Sequence, residues 1–217
     1  MSKLINLIDK TQAKIGIIGL GYVGLPLTIS FVSKAFQVTG FDIDQEKVNK
    51  LNNKKSYIKH INDKEISNMI DSKLFHATND FSKINNIDIL IICVPTPINK
   101  YKEPDLNAVI QTAKIIKQYI REDQMIILES SSYPGTTDEL LKPILEESGL
   151  FSDKDFYIAY SPEREDPGNK KYSLLKIPKV LGGYTDKCKK VGEKFYSLLN
   201  IKLILVNNIK TAEFTKL

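Results

Sequence analysis

Three glycines and one acidic residue have the types and spacing of a nucleotide-binding site. Gly19, Gly21 and Gly24 form a G-x-G-x-x-G pattern, and Asp42 follows 18 residues after the last glycine. In such a pattern the first glycine permits a tight turn, the second lets the backbone approach a pyrophosphate, and the third lets a helix pack closely on a sheet. The Asp42 carboxylate can accept hydrogen bonds from a ribose, and its charge would repel a 2′-phosphate. The pattern predicts a dinucleotide site, and the alternative is a glycine-rich structural turn. Because no arginine follows Asp42, we predict that the dinucleotide is NAD rather than NADP.

Ammonium and hydroxyl groups elsewhere could complete such a site. Lys47 falls one turn into a predicted helix and could lie beside the adenosine diphosphate, although a solvated helix lysine fits the pattern nearly as well. Thr96 stands between two prolines. Its hydroxyl could be directed at the site, or the segment could be no more than a turn that ends a loop. Ser130, Ser131 and Ser132 offer hydroxyls near a nicotinamide or a substrate, or are turn residues. The residue types alone leave these alternatives open.

Glu163 is the best candidate for acid–base chemistry. It closely follows a predicted strand, at a position where a carboxylate would face the crevice at the strand ends. A run of charged side chains, residues 163–166, is equally typical of a solvated loop. The histidines, His60 and His76, lie in polar segments and are expected at the surface. Without a nucleophile elbow or a histidine base beside a serine, the sequence does not indicate a serine hydrolase.

Composition excludes several classes of protein. The 217 residues are 42% hydrophobic and 26% charged, which is ordinary for a soluble globular protein. The net charge of +5 comes from scattered lysines rather than a dense basic block, so we predict no nucleic-acid partner. No apolar run is long enough to span a bilayer, and Cys93 and Cys188 are expected to be buried free thiols. We therefore expect a cytoplasmic protein with no membrane partner.

Strand-like and helix-like segments alternate along the chain, which predicts an α/β fold with a doubly wound, mostly parallel sheet. The segments with strand patterns are 14–18, 37–41, 74–77, 88–94, 124–128, 156–160, 179–181 and 202–206. The segments with helix patterns are 22–35, 44–53, 63–72, 105–120, 186–199 and 210–217, and Thr136 with Glu139 predicts a capping box for one more. Ligands of such sheets bind beyond the carboxyl ends of the strands, so we expect the candidate residues to meet in one crevice.

Several motifs together resemble the UDP-glucose/GDP-mannose dehydrogenase family. They are the glycine pattern at 17–26, Gly-Phe-Asp-Ile-Asp at 40–44, Val-Pro-Thr-Pro at 94–97, Glu-Ser-Ser-Ser-Tyr-Pro-Gly-Thr-Thr at 129–137 and the segment 161–169. They cover nearly the whole chain in order. The last segment is most similar to the UDP-N-acetylglucosamine 6-dehydrogenase branch, which supplies uronic-acid sugars for surface polysaccharides.

The resemblance implies a Rossmann-like NAD-binding domain and a set of roles. The family oxidises the C6 alcohol of a UDP-sugar to a carboxylate in two NAD-dependent steps, through a thiohemiacetal and a thioester on a cysteine. The turn Gly19–Gly24, including Tyr22 and Val23, would hold NAD together with Asp42, Lys47, Thr96 and Ser130. Ser131, where the family usually has threonine, would position a water, and Glu163 would orient or activate it. Glu165 is implied as a less certain companion.

The resemblance also implies that much of the enzyme lies outside this sequence. The family's nucleophilic cysteine in its glycine-rich loop, an essential lysine and asparagine, and a substrate-capping domain are expected beyond Leu217. On this interpretation residues 1–13 are an extension with a short helix, 14–207 the NAD-binding domain and 208–217 the start of a central helix. We expect the full-length protein to be a homo-oligomer and this chain alone to bind NAD without turnover. The alternatives are a non-catalytic NAD-binding module and a β-hydroxyacid-type dehydrogenase.

Overall fold

The computed structural model describes residues 3–98, 100, 102–163 and 178–216. Its strands are β1 (Ile15–Ile18), β2 (Val38–Phe41), β3 (Phe75–Thr78), β4 (Ile89–Ile92), β5 (Met125–Leu128), β6 (Tyr157–Tyr160), β7 (Lys179–Gly183) and β8 (Leu203–Leu205). Its α-helices are α1 (Lys3–Asp9), α2 (Gly24–Ser33), α3 (Gln45–Asn52), α4 (Asp63–Asp71), α5 (Asn107–Ile116), α6 (Lys142–Glu146), α7 (Asp186–Ser197) and α8 (Ile209–Phe214). A 3₁₀ helix covers Phe81–Asn86 and a π-helix covers Thr136–Leu141.

The strands of the described residues form one sheet in the order β3-β2-β1-β4-β5-β6-β7-β8. All neighbours are parallel except β6 and β7, which run antiparallel. The first six strands have the order of a doubly wound dinucleotide-binding fold. The predicted α/β class with a mostly parallel sheet is therefore confirmed.

The register aligns the carboxyl ends of the parallel strands. Ile18 pairs with both Phe41 and Ile92, Ile92 pairs with Leu128, and Leu128 pairs with Tyr160. The residue that follows each strand end therefore falls in one row across the sheet edge. This row contains Gly19, Asp42, Cys93, Glu129 and Ser161.

Two apolar layers cover the two faces of the sheet. Ile89 and Ile91 of β4 pack into one layer with α2 and α7, while Leu90 and Ile92 pack into the other with α5. Because successive side chains of a strand point to opposite faces, a strand buried on both sides reads as a continuous apolar run. The predicted strands were found from such runs.

The predicted capping box at Thr136 and Glu139 is wrong. The N-cap of the π-helix is Gly135, whose φ of 102° lies in the left-handed region, and the Thr136 hydroxyl donates instead to the Tyr133 carbonyl at 2.7 Å. The N–H groups of Gly135 and Thr137 bind the buried carboxylate of Glu213, a residue 76 positions away from Thr137. A carboxylate from α8 has taken the place that a local capping side chain would fill.

Candidate functional site

A cleft of about 970 Å³ lies at the carboxyl ends of the parallel strands. Ten of the eleven predicted site residues line it: Gly19, Gly21, Tyr22, Val23, Asp42, Lys47, Thr96, Ser130, Ser131 and Glu163. The exception is Gly24. The in-register strand ends bring these residues together, as the crevice argument from the sequence predicts.

The three glycines of the turn meet different surroundings. A Cβ on Gly19 would lie 2.7 Å from the Cys93 carbonyl oxygen, and the φ of Gly19 is +92°. A Cβ on Gly24 would lie 1.9 Å from the Gly19 carbonyl oxygen, so Gly24 lets α2 begin directly against the turn instead of lining the cleft. A Cβ on Gly21 would have no described atom within 4 Å. The turn is therefore packed behind Gly19 and Gly24 and open in front of Gly21, where a ligand can approach.

The amino end of α2 faces this opening. Val23 is its N-cap, and no side chain of the described residues caps it. Tyr22, beside it, is 54% exposed and lines the cleft. An uncapped helix start offers backbone N–H groups and the positive end of the helix dipole to an anion.

Asp42 connects the glycine turn to the start of α3. Its Oδ2 accepts the Leu20 N–H at 2.9 Å and its Oδ1 accepts the Asp44 N–H at 3.0 Å. The Lys47 ammonium lies 3.8 Å from Oδ2, and Asp44 caps α3 through the N–H groups of Glu46 and Lys47. Asp42 is largely buried, and its exposed part lines the cleft. The lone pairs of its carboxylate oxygens that do not accept the Leu20 and Asp44 N–H groups can therefore accept hydrogen bonds from a ribose in the cleft.

The loop that carries Thr96, residues 93–98, and the serine loop, residues 129–135, lie side by side at the cleft. The Ser130 hydroxyl donates to the Val94 carbonyl at 2.6 Å, which ties the serine loop to the segment that carries Thr96. The Ser130 carbonyl accepts the Tyr160 hydroxyl at 3.3 Å. Ser131 is half-buried and lines the cleft, whereas Ser132 is buried.

Glu163 is held by a lysine that sequence reasoning missed. The Lys216 ammonium lies 3.0 Å from Glu163 Oε2 and 2.6 Å from the Glu163 carbonyl oxygen. The sequence patterns predicted a helix over 210–217 and gave Lys216 no role at the site. The sequence carried no local signal for the pair, because the two residues are 53 positions apart. Glu165 lies outside the described residues.

Glu213, at the end of α8, anchors the serine loop. Glu213 lies one turn before Lys216 and is fully buried, and it accepts the Gly135 N–H at 2.6 Å, the Thr137 N–H at 2.8 Å and the Thr137 hydroxyl at 2.7 Å. Burial raises the pKa of the Glu213 carboxyl, although these donors act in the opposite direction. One short segment of the chain therefore binds both loops that carry the acid–base candidates.

A buried ion pair supports the middle of the cleft. Glu129 lines the cleft, its Oε2 lies 2.8 Å from the Lys179 ammonium, and its Oε1 accepts the Tyr196 hydroxyl. Lys179 also lies over the Tyr196 ring, 4.9 Å from its centroid. Cys93, which follows β4 and also lines the cleft, is a buried free thiol whose pKa is raised by burial and by the charge of Glu129. The raised pKa makes Cys93 a poor source of thiolate.

Residues outside the cleft agree with the predictions made for them. Cys188 is a buried free thiol on α7, and His60 and His76 are exposed. The His60 ring contacts the Tyr22 ring, with centroids 6.0 Å apart.

Among the described residues no cluster of three or more potential metal ligands occurs, and no helix is long and apolar enough to cross a bilayer.

Comparison with known proteins agrees with this geometry. The chain is 36% identical over 207 residues to a UDP-N-acetyl-D-glucosamine 6-dehydrogenase of Salmonella typhi, a match that covers 94% of this chain and 48% of the relative. It is 34% identical to the protein CapL of Staphylococcus aureus, with 93% and 47% covered. The crystal structure of an NDP-N-acetyl-D-galactosaminuronic acid dehydrogenase from Methanosarcina mazei Go1 superimposes with a TM-score of 0.88 at 30% identity, covering 100% of this chain and 49% of that one.

The chain thus spans about half the length of the relatives it matches. Residues 13–200 match the model of the UDP-glucose/GDP-mannose dehydrogenase family, NAD binding domain. The matched range contains every described residue that lines the cleft, whereas Glu213 and Lys216 lie after it. The chain therefore belongs to the UDP-glucose/GDP-mannose dehydrogenase family, and residues 13–200 are the NAD-binding domain of that family.

Proposed function

We propose that this chain is the NAD-holding part of a nucleotide-sugar 6-dehydrogenase that oxidises UDP-N-acetylglucosamine or a similar UDP-sugar to its uronate for surface polysaccharide synthesis. The observation that carries the proposal is the convergence of the open glycine turn, Asp42 and the serine and Glu163 loops on one cleft. We take residues 14–207 as the NAD-binding domain and residues 208–217 as the start of the central helix.

The residues of the cleft suit NAD in a defined direction. The pyrophosphate would lie on the uncapped start of α2, above Gly21, where the backbone is accessible. The Asp42 carboxylate would accept hydrogen bonds from the adenosine ribose, with Lys47 beside it. The nicotinamide would then lie toward Thr96, Ser130 and Ser131. The negative charge of Asp42 opposes a 2′-phosphate and therefore favours NAD over NADP.

When bound, NAD supplies the hydride acceptor for each of the two oxidation steps. This chain's own contribution is to place a carboxylate and a hydroxyl beside that acceptor. Lys216 fixes the Glu163 carboxylate from one side, which leaves it oriented to hold or activate a water. Ser131, on the neighbouring loop, offers the hydroxyl that would position the same water.

The covalent step of such an enzyme needs a reactive thiolate, and neither cysteine of this chain supplies one. Cys93 is buried with a raised pKa, and Cys188 is buried in α7 away from the cleft lining. We therefore infer that the 217 residues bind NAD without oxidising a UDP-sugar. Since the relatives are about twice as long, the remaining catalytic groups would come from the second half of a full-length homo-oligomeric enzyme.

Calorimetric titration of the purified chain with NAD tests the proposal. We expect measurable binding of NAD and at least tenfold weaker binding of NADP, since a buried carboxylate facing a phosphate is repulsive. Gly21→Ala is the matched variant: its Cβ has open space in the free protein, so the fold should persist while NAD binding is lost. Absence of NAD binding by the unmodified chain would refute the proposal.

A second assay addresses turnover. Incubation of the chain with NAD and UDP-N-acetylglucosamine should produce no NADH, detected by absorbance at the NADH band. NADH formation would show that the chain is a complete enzyme and would overturn the inferred need for a second half. NAD binding by a full-length protein that also lacks turnover would favour the alternative, a non-catalytic NAD-binding module.

A further inference from the structure

We propose that Tyr57 is a positioning residue that holds the glycine turn in the shape that receives a pyrophosphate. The inference rests on the proposed function of the cleft. It concerns a segment, residues 54–62, to which the sequence motifs assign no role.

The Tyr57 hydroxyl reaches across to the glycine turn. It donates to the Leu20 carbonyl with an oxygen–oxygen distance of 2.5 Å, a contact between residues 37 positions apart. On the other side of the same residue, the Leu20 N–H donates to Asp42 Oδ2 at 2.9 Å. Both peptide groups that flank Leu20 are therefore fixed by side chains from outside the turn.

This clamp determines where the Gly21 N–H points. The peptide bonds of the described residues are all trans, and in a trans peptide the carbonyl and the N–H of the next residue point in opposite directions. Holding the Leu20 carbonyl toward Tyr57 therefore directs the Gly21 N–H away from it. Glycine on each side of Leu20 gives these peptides unusual freedom to rotate, so an external restraint is needed to keep one orientation.

The 54–62 segment is itself held in place. Asp63 accepts the Ser56 N–H at 2.8 Å and pairs with Lys55 at 2.9 Å, and Ile58 is buried next to Tyr57. The His60 ring provides a second contact with the turn, against Tyr22. Tyr57 therefore projects from an anchored segment rather than from a loose loop.

Tyr57 is also suited to remain a donor. Burial, together with the charges of Asp42 and Asp44, raises the pKa of its hydroxyl, which keeps the proton at any physiological pH. Its ring packs against the apolar core and lines the cleft. Replacement by phenylalanine removes the hydroxyl and keeps the ring packing.

Binding of three ligands to Tyr57→Phe tests the proposal. We expect NAD and ADP-ribose, which carry a pyrophosphate, to bind about three- to tenfold more weakly than to the unmodified chain, the range for one lost hydrogen bond. Adenosine, which has no pyrophosphate, should bind within twofold of the unmodified chain. Tyr119→Phe is the control, because Tyr119 does not line the cleft, and it should change none of the three affinities.

Other outcomes would overturn the proposal. Equal weakening of adenosine would mean that Tyr57 contacts the nucleoside directly, and unchanged NAD affinity would mean that the hydroxyl positions nothing. Loss of the folded circular dichroism spectrum in Tyr57→Phe would assign the hydroxyl to folding instead. Hydrogen exchange of the Leu20 amide, which donates to Asp42, should also become faster in the ligand-free variant. If the unmodified chain binds no NAD, the proposed function fails before Tyr57 is tested.

Discussion

Removal of the Glu213 carboxylate should destabilise the chain in graded steps. Glu213 is fully buried and accepts three hydrogen bonds, from the Gly135 N–H, the Thr137 N–H and the Thr137 hydroxyl. Three substitutions remove these bonds to different extents: Thr137→Val, Glu213→Gln and Glu213→Ala. The order of their effects tests whether this carboxylate is what attaches α8 to the serine loop.

The magnitudes follow from what each variant leaves behind. Thr137→Val removes one hydroxyl donor from a buried site and should lower the free energy of unfolding by about 1 kcal/mol. Glu213→Gln keeps one acceptor oxygen, but its amide nitrogen then faces the Gly135 N–H, which should cost about 2–3 kcal/mol. Glu213→Ala leaves two buried N–H groups without an acceptor and should cost about 4 kcal/mol. Burial raises the pKa of the Glu213 carboxyl, because burying its charge is unfavourable. The expected cost of Glu213→Ala is therefore smaller than the sum of the costs of three lost hydrogen bonds.

Urea unfolding followed by circular dichroism measures the series, with the slope of the transition checked for constancy. Glu139→Gln is the matched control. Glu139 is an exposed carboxylate on the same π-helix that pairs with Lys210, and its loss should change the free energy of unfolding by less than about 0.5 kcal/mol. A Glu213→Ala effect below about 1 kcal/mol, or one equal to that of Glu139→Gln, would refute the reasoning.

Three further predictions concern buried groups near the cleft. Lys179→Met should lower the free energy of unfolding by about 3–5 kcal/mol because it leaves the Glu129 carboxylate buried without its cation. Urea unfolding measures this loss, and the double variant Glu129→Gln, Lys179→Met should regain part of the lost free energy. Cys93 should react slowly with iodoacetamide at pH 8 in the folded chain and rapidly after denaturation, because its raised pKa keeps the thiol protonated; rapid labelling of folded Cys93 found by peptide mass spectrometry would contradict this. Burial raises the pKa of Tyr160 to about 12, so the folded chain holds this proton more tightly than the unfolded chain. The free energy of unfolding should therefore fall as the pH rises from about 10 through 12. Ultraviolet titration should show that Tyr160 and Tyr57 ionise only above the pH range of the exposed tyrosines.

The sequence predicted the strand-end residues of the cleft well, for a physical reason. Gly19, Asp42, Thr96, Ser130 and Glu163 all come at or just after the ends of apolar runs. A strand buried on both faces must be apolar, and parallel strands end at one edge of the sheet, so polar residues placed there are brought together by the fold class itself. Local chain signals of this kind require no knowledge of distant contacts.

Local signals failed where a distant side chain competed with them. Thr136 and Glu139 have the spacing of a capping box, yet the helix is capped at Gly135, and Glu213 accepts the N–H groups of Gly135 and Thr137. Patterns of three or four residues contain no information about a carboxylate more than 70 positions away.

The sequence by itself therefore determined the fold class, the cofactor and ten of the 25 residues that line the cleft. Only the tertiary structure decided how these residues are held: Lys216 on Glu163, Glu213 on the serine loop, and Tyr57 on the Leu20 carbonyl. These contacts join residues 53, 76 and 37 positions apart, where no periodicity of helix or strand applies. The physical reason is that a motif specifies backbone shape locally, whereas the restraint on that shape comes from side chains that only chain folding brings into hydrogen-bonding distance.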